Sequence, residues 1–247
     1  MQVERKRDLI FSLSLKSLVI LCVIIGIIFT FIESDIERSQ QLLYYTVQSN
    51  IWVGIIFAIF LVYDIMAYRK GGEDIIPNWL RITKFAITVA ITLTCIVYNF
   101  VLYPSSLHTD EPTNPFRICS IFTHIIVPIL AVFDYFKFDH IMKTKKITFL
   151  WGLATPLYYF PFAIICANLG ANFGKGQKFP YFFLDYELNS WFELGGGKIG
   201  VFYWIIMLAI VISLISLVLL WLLNLRHKRY LKKINSNKIN VVLNEKD

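Results

Sequence analysis

Two side chains of the sequence pair a hydroxyl nucleophile with a base: Thr46 in the segment YYTVQSN and His124 in FTHIIVPILAVFD. A threonine hydroxyl is a weak nucleophile at neutral pH and needs a general base within hydrogen-bond reach. A neutral imidazole is the natural partner for this purpose. If the fold brings the two side chains together, their chemistry is acyl transfer through an acyl-threonine.

Both residues also have a structural interpretation. A threonine near the start of a helix commonly caps that helix or bonds back to the preceding turn. A histidine inside a membrane span indicates a functional site by default, but it also serves as a hydrogen-bond donor between helices. Residue type and spacing leave both interpretations open.

Further polar side chains accompany the candidate pair. Asn50 lies four residues after the threonine on the same helical face, and is the nearest side chain that can donate to an oxyanion. Ser120 precedes the histidine by one helical turn. Asn99, next to Tyr98, lies near the end of the third apolar segment, which we expect on the same side of the membrane as Thr46 and His124. Each of these can orient the imidazole, and each can instead form a structural interhelical hydrogen bond.

Six apolar segments position these side chains. Of the 247 residues, 57% are hydrophobic and only 17% are charged, a composition too apolar for a soluble domain. A membrane-spanning helix needs roughly 20 apolar residues, and lipid permits little besides helices. We therefore predict one domain over residues 1–247, an all-α integral membrane bundle of six transmembrane helices. The predicted spans cover about 12–32, 44–68, 80–103, 116–138, 147–169 and 199–225, and a basic tail covers 226–247.

The positive charges predict the orientation of the bundle. Of the 24 Lys and Arg residues, five lie in the first, third and fifth loops. The other 19 lie on the opposite side of the membrane, and they include Lys16 near the start of the first apolar segment. The positive-inside rule then places both termini in the cytoplasm of a multi-pass cell-membrane protein. The net charge of +7 is explained by contact with anionic headgroups, so no nucleic-acid partner is predicted.

Metal and cofactor chemistry has no support in the sequence. The four cysteines occur singly in apolar segments, and no H-E-x-x-H, Walker loop or G-x-S-x-G motif is present. We therefore predict neither a metal site nor a cofactor. Two further intramembrane acids, Asp64 and Asp134, lie toward the cytoplasmic end, where we expect a salt link to Lys84, Arg81 or Lys137.

One long loop, 170–197, carries FPYFFLDYELNSWFELGGG, a mixture of aromatic and acidic residues. This composition suits a lid that lies in the membrane interface, and it suits a simple aromatic anchor equally well. Residue types alone do not separate the two roles.

The segments YYTVQSN, FTHIIVPILAVFD and FPYFFLD together resemble a bacterial family of six-span membrane proteins. That family is distantly similar to the androgen-induced and androgen-dependent TFPI-regulating proteins, which are intramembrane threonine hydrolases of fatty acid esters of hydroxy fatty acids. The resemblance extends over most of the chain and implies Thr46 as nucleophile and His124 as general base, with membrane lipids or lipid esters as partners. An acyltransferase that uses the same pair and a non-enzymatic lipid-binding or small-solute protein are the alternatives.

Overall fold

The computed structural model describes residues 2–34, 36–71, 73–109, 112–139, 144–174 and 176–244. Within these ranges six helices are long and apolar enough to cross a membrane. The chain is therefore a multi-pass membrane protein, and the predicted all-α fold with six spans is confirmed. The helices are α1 Gln2–Glu33, α2 Tyr45–Arg69, α3 Asn78–Ser106, α4 Ile118–Phe138, α5 Lys146–Asn168 and α6 Val201–Asn244.

The helices α2, α4 and α6 begin at one end of the bundle, which we call the loop end. We call the opposite end the terminal end. At the loop end, Glu33 of α1 accepts hydrogen bonds from the backbone N–H groups of Ile118, at 3.3 Å, and Cys119, at 3.0 Å. The first N–H groups of a helix have no partner within it, so this carboxylate satisfies two donors of α4. Which side of the membrane each end faces stays a prediction.

The bundle has two packing clusters, one on either side of α3. Buried side chains of α1, α2 and α4, including Val53 and Phe57, form one cluster with α3. The other cluster joins α3 to α5, α6 and the long loop, around Phe85, Val89 and Ile212. Many isoleucines and leucines on the outside of the helices are exposed, as a lipid solvent requires.

The helix α4 widens into a π-helical turn over Phe122–Ile126. The N–H of Val127 donates to the carbonyl of Phe122, five residues back. The next donor in this pattern would be residue 128, but Pro128 has no N–H, and so the carbonyl of Thr123 receives no hydrogen bond from its own helix. The irregular turn thus exposes a backbone acceptor in the interior of the bundle.

The helix α3 repeats this arrangement over Tyr98–Leu102. The N–H of Tyr103 donates to the carbonyl of Tyr98, and Pro104 follows directly. Single π turns inside α-helices often occur at functional sites. In this protein the two π turns face one another near the loop end, since Tyr98 stacks on His124.

The connection between α5 and α6 folds over the loop end. Its described residues include a 3₁₀ turn at Phe182–Leu184, a short helix at Tyr186–Asn189, and the antiparallel strands β1 Leu194–Gly195 and β2 Lys198–Ile199. Asp185 caps the short helix by accepting from the N–H groups of Glu187, at 3.0 Å, and Leu188, at 2.9 Å. The loop is therefore a structured element of the fold.

Two helices extend beyond their predicted bounds. The helix α1 begins at Gln2, ten residues before the predicted start at residue 12, so that Lys16 lies in its interior. The helix α6 continues to Asn244 and includes most of the predicted tail 226–247, of which residues 245–247 lie outside the described part of the chain. Apolar length predicts where a membrane is crossed, but not how far a helix continues past it.

Candidate functional site

A cavity of about 150 Å³ lies at the loop end, between the start of α2, α3, α5, α6 and the long loop. Its lining side chains are mostly apolar. They are Tyr45, Thr46, Leu93, Thr94, Val97, Leu102, Leu153, Pro156, Leu157, Tyr159, Phe160, Tyr181, Phe183, Leu184, Ile205, Leu208, Ala209 and Ile212. Such an apolar lining suits a hydrocarbon chain.

Thr46 and Tyr181 both line this cavity, and we call the part of the cavity next to these two side chains its polar end. Thr46 is half-buried and is the second residue of α2, which begins directly after Tyr44 in an extended conformation. The phenol of Tyr181, from the long loop, interacts with the side chain and backbone of Thr46. The predicted nucleophile therefore lies at a position that a ligand in the cavity can reach.

Two further tyrosines, Tyr45 and Tyr159, line the cavity together with Thr46. Tyr159 donates to the carbonyl of Leu43 at 3.0 Å, and Tyr45 shares a hydrogen bond of 2.9 Å with Thr155. The rings of Tyr45 and Tyr159 meet at 5.0 Å between centroids, at an angle of 67°. These bonds fix the aromatic wall of the cavity and involve the hydroxyls of two of its tyrosines.

The protonation state of Tyr181 follows from its surroundings. Burial raises the pKa of its phenol, and hydrogen bonds with Thr46 and with the hydroxyl of Tyr159 offset only part of that effect. Tyr181 therefore stays neutral at physiological pH, so its hydroxyl keeps a proton that it can donate. The sequence prediction missed this residue, because a loop 135 residues away from Thr46 gives no local signal of proximity.

His124 lies in the π turn of α4 and is not among the residues that line the cavity. Its ring stacks on Tyr98 at 3.6 Å between centroids and 14° between planes. Nδ1 lies 3.2 Å from the carbonyl of Ser120 and 3.1 Å from the hydroxyl of Thr123. In the described part of the chain, no hydrogen bond joins His124 to Thr46.

The contacts of Nδ1 determine the tautomer of a neutral His124 ring. The carbonyl of Ser120 only accepts, so Nδ1 must carry the proton. The hydroxyl of Thr123 donates to the carbonyl of Cys119 at 2.7 Å, so its oxygen is also free to accept from Nδ1. Nε2 is then left with an unprotonated lone pair, which is the form that a general base needs.

Asn50 connects the two candidate residues through the backbone. Its Nδ2 donates to the carbonyl of Thr46 at 2.8 Å and to the carbonyl of Thr123 at 3.3 Å. The carbonyl of Thr123 is the acceptor that has no N–H partner in its own helix, because residue 128 is a proline. Asn50 is fully buried and both of its amide protons are used, so the structure gives it a role in tying α2 to α4.

The other two predicted neighbours differ in their contacts. Ser120 holds the imidazole through its backbone carbonyl, while its hydroxyl lies against the Sγ of Cys119 at 3.9 Å. Asn99 donates to the carbonyl of Cys95 in its own helix at 2.8 Å, and no hydrogen bond to His124 occurs among the described residues. The ring of the adjacent Tyr98 orients the imidazole instead.

A second polar cluster lies at the terminal end of the bundle. Nζ of Lys16 lies 3.0 Å from Asp64 and 3.2 Å from Asp134, and Nζ of Lys84 lies 2.5 Å from both Asp134 and Asp139. All five side chains are more than nine-tenths buried. Charges buried in this way persist only when they are paired, so the cluster joins α1, α2, α3 and α4.

This ionic cluster confirms one sequence prediction and corrects another. Asp134 pairs with a lysine of α3, as we expected. Asp64 pairs instead with Lys16, which the sequence analysis counted at the start of the first span, and Arg81 pairs with Asp74 at 2.5 Å. Ser12 and Lys16 lie four residues apart on one face of α1, and this spacing is the sequence signal for a buried polar face.

The sequence matches no known family model, no curated protein and no solved structure. In the described residues, no group of three or more His, Cys, Asp or Glu side chains is placed to hold a metal ion. The function must therefore be inferred from the geometry at the loop end.

Proposed function

We propose that the protein is an intramembrane hydrolase of lipid esters. The acyl chain of the ester occupies the cavity at the loop end, and Thr46 attacks the carbonyl carbon of the ester. The observation that carries this proposal is that Thr46 lines a cavity whose other lining side chains are mostly apolar. A hydrocarbon chain gains free energy from such a lining, and its ester group is thereby held next to the nucleophile.

The proposal assigns the general base to Nε2 of His124. Two features support it: the Nδ1 contacts leave Nε2 unprotonated, and Asn50 holds the backbone of Thr46 against the residue that precedes the histidine. A hydrogen bond between Thr46 and Nε2 must then form when substrate binds. Catalytic hydrogen bonds are often long in unliganded structures and tighten in the complex.

The reaction has two steps in this proposal. The Thr46 oxygen bonds to the ester carbon while its proton passes to Nε2, and the alcohol leaves with that proton, giving an acyl-threonine. Water then attacks the acyl carbon, its proton passes to Nε2 and on to the threonine oxygen, and a fatty acid is released. With the predicted cell-membrane orientation, the lipid enters from the outer leaflet.

A non-enzymatic lipid-binding protein is the second candidate, and one observation favours it. His124 is bonded within its own helix and stacked on Tyr98, away from the residues that line the cavity. If this packing persists when a lipid is bound, Thr46 has no base, and the cavity binds a chain without cleaving it.

Fluorophosphonate labelling of the detergent-purified full-length protein tests the hydrolase. We expect wild type and Thr46→Ser to label, and Thr46→Ala and His124→Ala to lose labelling while their elution and thermal unfolding stay like wild type. Thr94→Ala is the matched control, because Thr94 lines the same cavity but bonds to Ser49 at 2.9 Å.

Absence of labelling in wild type would remove the hydrolase. Equal labelling of Thr46→Ala would remove Thr46 as nucleophile. Binding of a radiolabelled fatty ester by a protein that never labels would support the lipid-binding alternative.

A further inference from the structure

The long loop contributes a hydrogen-bonding group to the cavity in addition to covering it. Tyr181 and Thr46 both line the cavity, and the phenol of Tyr181 interacts with the Thr46 side chain. A carbonyl oxygen of a ligand whose carbon lies against the Thr46 hydroxyl therefore lies near the Tyr181 hydroxyl as well.

The ring of Tyr181 is held firmly in place. It stacks on Phe183 at 5.1 Å with 6° between the planes, and it meets Tyr44 edge-on at 6.0 Å and 83°. Phe183 packs in turn on Trp204 of α6, at 5.7 Å. A donor fixed by its neighbours before the ligand arrives loses little entropy on binding, which is the property that oxyanion stabilisation requires.

Other donors near Thr46 are already used. Asn50 gives both amide protons to backbone carbonyls, and Tyr159 gives its proton to the carbonyl of Leu43. Among the described residues, no backbone carbonyl accepts the proton of Tyr181. Its hydroxyl instead contacts the hydroxyls of Thr46 and Tyr159, and a ligand carbonyl can replace either of these as the acceptor of the Tyr181 proton.

We propose that Tyr181 binds the carbonyl oxygen of the lipid ester through its hydroxyl proton, and that the ligand class of the cavity is therefore a long chain ending in a carbonyl. This inference rests on the proposed function and adds a catalytic residue to it. When the Thr46 oxygen bonds to the carbonyl carbon, the π electron pair moves to the carbonyl oxygen, and the resulting alkoxide accepts the same hydrogen bond. The pair returns when the alcohol leaves, and Tyr181 keeps its proton throughout.

Binding of a long-chain methyl ketone and of the alkane of the same length to the full-length purified protein tests this proposal without requiring turnover. We expect wild type to prefer the ketone about tenfold, as one hydrogen bond predicts, and the infrared carbonyl band of the bound ketone to lie below its position in hydrocarbon. Tyr181→Phe should lose the preference and the band shift while it binds the alkane like wild type.

Tyr186→Phe is the matched control. Tyr186 belongs to the same loop, but its hydroxyl donates to Asn168 at 2.8 Å and does not line the cavity. It should keep both the ketone preference and the band shift. If hydrolysis is observed, Tyr181→Phe should lower kcat about 100-fold or more with little change in KM.

The outcomes separate the two proposals. An unchanged ketone preference in Tyr181→Phe, or an unshifted carbonyl band in wild type, overturns the role of Tyr181 whatever the labelling experiment gives. The wild-type protein can also prefer the ketone through Tyr181 and yet never react with the fluorophosphonate. That result would support carbonyl recognition by Tyr181 and overturn the proposed hydrolysis. Failure of wild type to bind either compound overturns both.

Discussion

Asn50 donates a hydrogen bond of 3.3 Å to the carbonyl of Thr123, and this bond joins α2 to α4 between the candidate nucleophile and the candidate base. The acceptor is available because Pro128 lacks the N–H that would otherwise occupy it. A proline in one helix thus creates a partner for the amide nitrogen of a fully buried asparagine in another, while the Oδ1 of Asn50 has no hydrogen-bond partner among the described residues.

The first prediction concerns this bond. Asn50→Leu keeps the branched shape and the number of side-chain heavy atoms but removes both donors, so two carbonyls lose a partner. We expect a loss of about 1 kcal/mol in the free energy of unfolding, and a larger loss of fluorophosphonate labelling because α2 is no longer held to α4. Asn99→Leu is the control, since that amide bonds within its own helix. Equal destabilisation by both variants would contradict this account.

The second prediction concerns the buried ionic cluster. Lys84→Met leaves Asp134 and Asp139 without one of their cations, and we expect it to cost about 3–5 kcal/mol of stability. Adding Asp134→Asn should recover part of that loss, since it removes one of the uncompensated charges. Thermal unfolding in detergent measures both.

The control for the ionic cluster is Lys178→Met, which removes an exposed pair with Glu187. An exposed pair contributes little, so this variant should unfold like wild type. If Lys84→Met also unfolds like wild type, the cluster does not stabilise the bundle.

The third prediction concerns the cavity. Ala209→Trp places an indole in the space that we assign to the acyl chain. We expect binding of a long-chain ketone to weaken at least tenfold, and short-chain ketones to be less affected because they need only the polar end. Ile210→Trp, at a side chain that is 56% exposed on the outside of α6, should bind both like wild type. Equal binding of long chains by Ala209→Trp would place the chain elsewhere.

The fourth prediction concerns the close approach of α5 and α6. A Cβ at Gly152 would lie 2.0 Å from Oγ of Ser216 and 3.2 Å from Cγ1 of Val89. Gly152→Ala should therefore cost about 1–3 kcal/mol of stability. Ser216→Ala removes a buried hydroxyl that has no partner among the described residues, and should be neutral or stabilising.

The double variant provides the check on this contact. Gly152→Ala with Ser216→Ala should be more stable than Gly152→Ala alone, because the shortest clash is gone while the contact with Val89 persists. Strict additivity of the two changes in a thermal unfolding cycle would contradict the packing described here.

Part of the candidate site could be predicted from residue types and their spacing. A threonine and a histidine are recognisable by type, and their apolar segments place them in spans that begin at the same end of the bundle. Asn50 was also recognisable, because residues four apart share a helical face. Its actual partner was not, since that partner is a carbonyl made available by a proline of a different helix.

The sequence by itself determined the class of this protein, six membrane-crossing helices, because lipid accepts only long apolar segments whose backbone bonds are internal. The tertiary structure alone decided which polar groups meet. Tyr181 reaches Thr46 from a distant loop, His124 is turned toward Tyr98, and Lys16 is buried among carboxylates of two other helices. Hydrophobicity acts on each segment separately, whereas hydrogen bonds and ion pairs depend on which helix faces are brought together in three dimensions.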